Sequence, residues 1–419
     1  MNFTPRPTGS FQEFIDAYFE RCRARVPEIE ANAGKWCHED LIPGLSDFDT
    51  RFIVRDGMTA DDWCRMSAEV GRTHLELARE RPDWARNLEH LPGINLQWSE
   101  LLDPAQYSPE FAKWSFYRAP AGRIEAAAGA IASHRWSEAD DTYHWKTIAV
   151  YYGPYDRSID PPVNLGAYEN KYPLHSRLLH YFAPPVHAAV CLWHRKTTPG
   201  KLEAFRTARE LFPDGGAIDF ALEVIERHYE LPELLREPGV SELDRRLETY
   251  LTRMVDALLH GGSRLRCPPS PAPGRLREAV QELKGSTPLG QLFENIKFAR
   301  LMKGRLWFYG QYVPWFDSRW LIQNELKRIR RLFYEAPLRL FARHVLDVEA
   351  TAERALEMIE GDVLTREQAG ACRRFAELSR AEGSSENLKT KSLAVADCFD
   401  PFLHALEALL QRTKGALGG

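Results

Sequence analysis

The stretch from Gly34 to Val54 reads GKWCHEDLIPGLSDFDTRFIV and places two aspartates, Asp47 and Asp49, at the start of an apolar run rich in β-branched residues. Such a run predicts a β-strand. Because successive strand side chains point to opposite faces, the two carboxylates are expected to share one face with Arg51. Mg²⁺ takes one or two protein carboxylates and completes its coordination with water and phosphate oxygens. The sequence therefore predicts a magnesium site at this strand.

This stretch resembles the signature of the DNA polymerase β-like nucleotidyltransferase superfamily, in which a glycine turn precedes a strand that carries an Asp-hydrophobic-Asp pair. Gly34 matches the turn, and the segment from Ser46 to Asp49 matches the pair. The family's turn usually continues with Gly or Ser, whereas Lys35 follows here, and this lysine could contact a phosphate itself. The alternative interpretation is an ordinary solvated turn that enters a strand. The resemblance covers about the first half of the chain and is greatest to the branch that modifies antibiotics and other small molecules.

The resemblance implies a reaction in which a nucleoside monophosphate passes from an NTP, such as ATP, to a small-molecule acceptor with release of pyrophosphate. Two Mg²⁺ ions would be held by Asp47 and Asp49. Family members usually add a third carboxylate from the next strand, but Asn95 and Gln97 occupy the alternate positions here. We expect Glu100 to replace it as a third ligand or as the general base. Alternatively, Glu100 only complements the positive N-terminus of a short helix.

Phosphate contacts are expected from basic residues and from the glycine turn. Lys201 begins a predicted helix, where its charge would add to the backbone N–H donors, as in several small-molecule nucleotidyltransferases. The residues predicted to contact the nucleotide are Gly34, Lys35, Ser46 and Lys201, and Arg51 competes for the same role. The alternative for Lys201 is a solvated lysine in the first helical turn.

The chain is expected to have an α+β fold, with a small mixed β-sheet and its helices followed by predominantly α-helical domains. The predicted divisions are a nucleotidyltransferase-like core over 1–172, a helical bundle over 173–260, a Pro/Gly-rich linker over 261–274 and a helical C-terminal domain over 275–419. Apolar spacing predicts a first helix from residue 10 and a second over 60–81, with a capping box at Thr59. Aromatic and β-branched residues predict a strand or hairpin over 142–152.

Composition limits the compartment and the partners. The chain has 419 residues, a net charge of −4 and seven scattered cysteines without a CxxC pair, so neither a disulfide framework nor a structural zinc site is expected. No apolar stretch is long enough to span a bilayer and no secretory leader is recognised, so we expect a cytoplasmic protein without membrane contact. The global charge offers no attraction to nucleic acid, and a small-molecule acceptor is favoured. The sequence does not identify the NTP, the acceptor or the oligomeric state.

Two later patterns leave alternatives open. An aromatic cluster over 307–320 precedes a basic stretch over 327–343, and together they could bind RNA or an anionic substrate, or form a core edge beside a solvated helix face. RNA or protein as the acceptor is therefore a further hypothesis. His180, His187 and His194 recur every seven residues, although packing histidines are commoner than metal ligands. Because Asn95 and Gln97 are not acidic, a catalytically degenerate protein that binds a nucleotide or a partner is the other alternative.

Overall fold

The chain folds into a small mixed sheet near its N-terminus and a large set of helices, as the α+β expectation requires. The structure is a computed structural model. It describes residues 11–35, 40–42, 45–84, 87–157, 172–227, 234, 236–283, 288–311, 318–380 and 387–417. Among the described helices, none is both long and apolar enough to cross a membrane.

Within the described ranges the sheet has four strands, in the order β3-β2-β1-β4. They are β1 Ile29–Gly34, β2 Thr50–Val54, β3 Leu96–Gln97 and β4 Ser115–Arg118. The central strand β1 runs antiparallel to β2 and β4, whereas β2 and β3 are parallel. A parallel pair needs a long crossover, and the helix α2, Ala60–Glu80, lies within it.

The first two helices follow the sequence expectation closely. Helix α1 spans Phe11–Arg25 and buries its apolar side, including Phe14 and Tyr18. Helix α2 begins after Thr59, whose hydroxyl accepts from the backbone N–H of Asp62, while the Asp62 carboxylate accepts from the backbone N–H of Thr59. The predicted capping box is therefore present, and it fixes the start of the helix.

The strand predicted over 142–152 is wrong, because these residues lie in helix α5, Glu138–Tyr151. Ser137 and Asp140 form a capping box at its start. Trp145, Ile148 and Ala149 then bury one helical side. The cap and this packing outweigh the β propensity of the aromatic and β-branched residues.

The middle of the chain is mainly helical among the residues that the structure describes. They are α3 Trp98–Leu102, α4 Arg123–Ser133, α5, α6 Tyr172–His175, α7 Ala183–His194, α8 Lys201–Leu211, α9 Gly215–Arg227, α10 Gly239–His260 and α11 Pro273–Gln281. A π-helical segment, Ser176–Phe182, joins α6 to α7. The Pro/Gly-rich stretch predicted as a linker forms neither helix nor strand until Pro273 begins α11.

The last part of the chain is also helical. It comprises α12 Pro288–Ala299, α13 Met302–Gln311, α14 Ser318–Ile329, α15 Ala336–Val345, α16 Ala352–Ile359, α17 Arg366–Leu378, α18 Leu388–Asp397 and α19 Phe399–Leu417. A second π-helical segment, Arg330–Glu335, joins α14 to α15.

Buried apolar side chains form three clusters. The first combines α1 and α2 with helices α12 to α19, so side chains such as Phe14 and Trp63 share a core with Phe308 and Phe402. The second joins α5 to the helices between α7 and α11. The third includes Ile53 and Leu96 from the sheet together with Trp98. The domain boundaries proposed from the sequence stay a prediction.

Candidate functional site

The acidic pair lies in an extended segment immediately before β2. The backbone N–H of Lys35 donates to the Asp49 carbonyl over 2.9 Å, which extends the β1–β2 pairing beyond Gly34 and Thr50. The strand therefore begins one residue after the pair rather than at the pair. Asp47, Asp49 and Arg51 nevertheless border one cavity, as the strand alternation predicts.

This cavity has a volume of about 620 Å³ and is bordered by elements distant in sequence. The acidic segment and the loop around His90 form one part of its wall. His175, Ser176 and Lys201 border it from the middle helices, and α12 to α14 contribute further side chains. We call it the acidic-pair cavity.

His90 connects the two carboxylates. Its Nε2 lies 3.5 Å from Asp47 Oδ2 and 3.3 Å from Asp49 Oδ1. Its Nδ1 lies 3.0 Å from the Leu91 carbonyl, which can only accept, so Nδ1 carries a proton. Burial and Arg305 oppose the charged form, but the bonds with both carboxylates raise the pKa of His90 to about 9.

The sequence reasoning missed His90, although a local signal existed. His90 lies just before Pro92 and Gly93, which form the turn that leads into β3. The Gly93 N–H donates to the Thr50 carbonyl over 3.1 Å, so this turn is held against the first residue of β2. A turn that enters the neighbouring parallel strand places the residues before it beside the acidic pair.

His175 approaches Asp47 from another side. Its Nε2 lies 3.5 Å from Asp47 Oδ1. Burial alone would raise the pKa of Asp47, but the hydrogen bonds with His175 and His90 hold it well below its usual range. Burial also opposes ionisation of Asp49, yet Lys35 and His90 lower its pKa strongly. Both aspartates are therefore carboxylates at neutral pH, the form that binds a cation.

Three cations lie beside the pair. Lys35 Nζ is 3.9 Å from Asp49 Oδ2, and Arg51 Nη1 is 3.7 Å from Asp49 Oδ1. Arg51 also pairs with Glu110 over 2.9 Å. Burial by itself would lower the pKa of Lys35, but Asp49 and Glu110 raise it, whereas burial lowers the pKa of Lys201 despite the nearby aspartates.

Lys201 is held at the start of α8 by an acidic cap. Asp40 accepts from the backbone N–H groups of Lys201, over 2.6 Å, and Leu202, over 3.0 Å. Because these two N–H groups donate to Asp40, they do not serve the phosphate contact predicted at the helix N-terminus. The Lys201 side chain is the part of that predicted contact that remains. Lys201 borders the acidic-pair cavity, and 5% of the residue's surface is exposed.

The two small residues predicted to contact the nucleotide have different positions. Gly34 borders the cavity and ends β1 rather than forming a turn. A Cβ there would lie 2.4 Å from the ring of Tyr117, so close packing explains the glycine. Ser46 is buried and its hydroxyl accepts from the backbone N–H of Ile42 over 3.0 Å, which stabilises the loop before the pair.

Glu100, predicted as a third ligand or general base, is not among the described residues around the acidic-pair cavity. Both of its carboxylate oxygens pair with the Arg300 guanidinium, over 2.6 and 3.0 Å, and Lys414 adds a bond of 3.0 Å. The backbone N–H of Gln97 also donates to it. Glu100 is 1% exposed and is not among the described residues around the cavity. The alternative of a helix-capping carboxylate describes its surroundings better.

Asn95 and Gln97 also have structural partners. The Asn95 side chain accepts from the Phe52 N–H and the Gln97 side chain accepts from the Met58 N–H, each over 2.9 Å. These positions therefore help to hold the sheet and the start of α2.

A different carboxylate, Glu294 on α12, borders both the acidic-pair cavity and a second cavity of about 440 Å³. Ser108 Oγ donates to this carboxylate. Burial, with a contribution from Glu110, raises the pKa of Glu294 to about 7. A carboxyl group with this pKa can exchange a proton at neutral pH.

The aromatic and basic stretches largely form structural contacts. Phe308 and Tyr309 are buried in the first cluster, and Arg328 forms an ion pair with Glu325 over 2.7 Å. Trp320 and Arg328 border the acidic-pair cavity. Of the cluster's remaining members, Tyr312, Trp315 and Phe316 lie outside the described residues.

The described residues contain two groups around Asp47 that have metal-ligand spacing. Asp47, Asp49 and His90 each offer one atom within 4.8 Å of the others, and so do Asp47, His175 and His180. Two ionised carboxylates fit Mg²⁺, and an imidazole nitrogen in addition suits Mn²⁺ or a later transition ion.

Comparison with family models, with curated proteins and with solved structures gives no match to this chain.

Proposed function

We propose that this protein is a Mg²⁺-dependent nucleotidyltransferase that moves a nucleoside monophosphate from an NTP to a small-molecule acceptor and releases pyrophosphate. The observation that carries the proposal is the position of Asp47 and Asp49, which lie together at the wall of a cavity with cationic side chains around them. The resemblance of the Gly34–Asp49 segment to the superfamily signature adds to it.

Asp47 and Asp49 would hold the metal, with His90 beside them. Bound Mg²⁺ supplies charge stabilisation for the phosphoryl oxygens and lowers the pKa of an attacking hydroxyl. The Leu91 carbonyl fixes the ring of His90, as backbone acceptors do for metal-binding histidines. Because His90 is now the cation between the two carboxylates, it must yield its place or its Nε2 proton when a metal ion binds.

The triphosphate would lie against Lys35 and Lys201. Both side chains border the acidic-pair cavity. Lys201 is buried, and a buried ammonium group attracts a polyanion more strongly than a solvated one does. Arg51 donates to Glu110 and to the carbonyl of the preceding residue, Thr50. Its role would therefore be to position the carboxylates rather than to bind the nucleotide.

The acceptor would enter through the second cavity. Lys35, Tyr151 and Glu294 border both cavities, so an acceptor there would face the nucleotide across these residues. Glu294 is the candidate general base, since its pKa near 7 lets it take the proton of an attacking hydroxyl.

The test is nucleotide binding followed by turnover. A thermal-shift panel of the four NTPs with and without Mg²⁺ should show stabilisation that requires both components. Pyrophosphate release is then measured against pools of small metabolites. Asp47→Asn and Asp49→Asn should each lower Mg²⁺-dependent release at least about 100-fold without loss of the folded state.

The matched control is Asp219→Asn, which alters an exposed aspartate of α9 paired with Arg209. It should leave both readouts unchanged. Pyrophosphate release by the Asp47 and Asp49 variants at the wild-type rate would contradict the proposal, as would the absence of any NTP-dependent stabilisation.

A second candidate is a degenerate protein of this kind that binds a nucleotide or a partner without turnover. It is favoured by one observation: Asn95, Gln97 and Glu100 all have structural partners where the family supplies a third carboxylate. NTP-dependent stabilisation without pyrophosphate release from any metabolite pool would support this candidate over the transferase.

A further inference from the structure

A second cluster of ligand-type side chains lies between α5 and α7. His144 on α5 faces His187 and Cys191, which lie one turn apart on α7. One ligand atom from each of the three lies within 4.8 Å of the others. All three residues are at most 1% exposed. We call this group the His-His-Cys cluster, and none of its members borders the acidic-pair cavity among the described residues.

His144 is buried without a hydrogen-bond partner for either ring nitrogen within the part of the chain that the structure describes. Trp136 stacks on its ring face at 5.2 Å between centroids, so the ring is fixed while its nitrogen-bearing edge stays available. A buried polar group without a partner costs stability, and such a group in a native protein calls for an explanation such as an ion.

His187 already has the outer contact that a metal-binding histidine shows. Its Nε2 lies 2.6 Å from the Thr198 carbonyl, which can only accept, so Nε2 carries the proton and Nδ1 carries the lone pair. Cys191 Sγ lies close to the ring, 3.7 Å from Nδ1 and 3.8 Å from Nε2. A tetrahedral zinc ion with ordinary Zn–N and Zn–S bonds separates two such ligand atoms by about 3.6 Å.

Cys191 Sγ already accepts one hydrogen bond from the backbone. The N–H of Thr198 donates to it over 3.3 Å, the kind of contact that a metal-bound sulfur keeps. Imidazole nitrogen and cysteine sulfur are both ordinary zinc ligands, and a site with three protein ligands leaves a fourth position for water or another small ligand.

We propose that His144, His187 and Cys191 bind one Zn²⁺ ion that joins α5 to α7. The absence of a CxxC pair made a structural zinc site unexpected from the sequence, because its ligands come from two helices instead of a local knuckle. The proposal is independent of the nucleotidyltransferase proposal, since it uses none of the same residues.

The first test measures metal in the full-length protein, purified without a polyhistidine tag and dialysed against metal-free buffer. Mass spectrometry of the digested protein should find about one zinc per chain. Cys191→Ser and His144→Ala should each reduce this content at least about tenfold. Cys267→Ser, which alters a half-buried cysteine elsewhere, and the Asp47→Asn variant should both retain it.

The second test needs no variant to fold. Wild-type protein stripped of metal is titrated with Co²⁺, which should give a sulfur-to-cobalt charge-transfer band in the near ultraviolet and intense visible bands of a tetrahedral site. Zinc should then displace the cobalt.

Wild-type protein that retains no zinc and gives no sulfur-to-cobalt band would overturn the proposal. Equal zinc in wild type and in the Cys191→Ser variant would also overturn it, and would assign the ion to another site.

Discussion

The two glutamates considered as the general base have opposite surroundings, and this difference is testable. Glu100 is enclosed by Arg300 and Lys414, whereas Glu294 borders both cavities. Arg300 also pairs with Glu407, so Glu100→Gln removes one of the two carboxylates that compensate this buried cation and should lower the free energy of unfolding by about 3 kcal/mol. The rate of pyrophosphate release by the folded Glu100→Gln variant should stay within about threefold of the wild-type rate.

Glu294→Gln should behave in the reverse way: it should lower kcat about 100-fold and leave NTP binding unchanged. Urea unfolding and pyrophosphate release, measured on both variants at a temperature where both are folded, separate the two roles. A large rate loss in Glu100→Gln with normal stability would restore the sequence-based assignment.

Lys201 provides the sharpest test of nucleotide binding by a single side chain. Lys201→Met keeps the stem length and removes the charge, so we expect the Kd for Mg·NTP to rise about 10- to 100-fold, as for loss of a charge-assisted bond. Lys196→Met, on the exposed loop before α8, should leave the Kd unchanged. Isothermal titration calorimetry measures both. Equal affinities in the two variants would remove Lys201 from the site.

At the scale of elements, the crossing of α2 and α13 depends on the absence of a side chain. A Cβ at Gly304 would lie 2.1 Å from the Ser67 carbonyl oxygen, which is backbone and cannot rotate away. Gly304→Ala should therefore cost about 3 kcal/mol, because the helices must separate. Gly370→Ala on α17 is the matched control, because a Cβ there would meet no atom within 4 Å. Alanine should raise the unfolding free energy by up to about 1 kcal/mol, since it favours the helix over glycine. Chemical denaturation compares them, and equal stabilities would contradict the close crossing.

The sequence predicted helices well where a cap coincided with an apolar period, as for α2 after Thr59. It failed for α5, because β-forming side chains concealed the cap formed by Ser137 and Asp140. The acidic pair could be found because its members are two residues apart. His90 and Glu294 are brought to the pair only by tertiary packing, and no local pattern encodes that. The pairing of Glu100 with Arg300 has no local signal either, since the two residues are 200 positions apart.

At the scale of the whole molecule, buried neutral histidines should make the fold sensitive to acid. His74 lies in the first cluster's interior, with Nδ1 3.0 Å from the Tyr18 hydroxyl and Nε2 2.9 Å from the Leu88 carbonyl. Burial lowers the pKa of His74 to about 3, compared with about 6.5 in an unfolded chain. Between these values the unfolded chain binds a proton that the folded chain does not, so protonation favours unfolding.

The contribution of His74 is therefore complete above about pH 6.5 and is lost progressively as the pH falls toward 3. From pH 7 to pH 5 it should remove about 2 kcal/mol of unfolding free energy. His74→Gln should be less stable at pH 7 but should lose about 2 kcal/mol less over this interval. The control His260→Gln alters an exposed histidine and should lose the same unfolding free energy between pH 7 and pH 5 as wild type. Urea titrations at the two pH values measure the differences, and parallel losses in all three proteins would contradict the assignment.

The shared core of α1, α2 and helices α12 to α19 has a consequence for synthesis on the ribosome. The apolar sides of α1 and α2 emerge first, but the side chains that cover them, such as Phe308 and Phe402, are translated hundreds of residues later. The helices of the second cluster emerge in between and can bury one another first. The nascent chain thus carries uncovered apolar surface for most of its elongation. Chaperones bind chains in this condition, and a pause late in translation would favour aggregation.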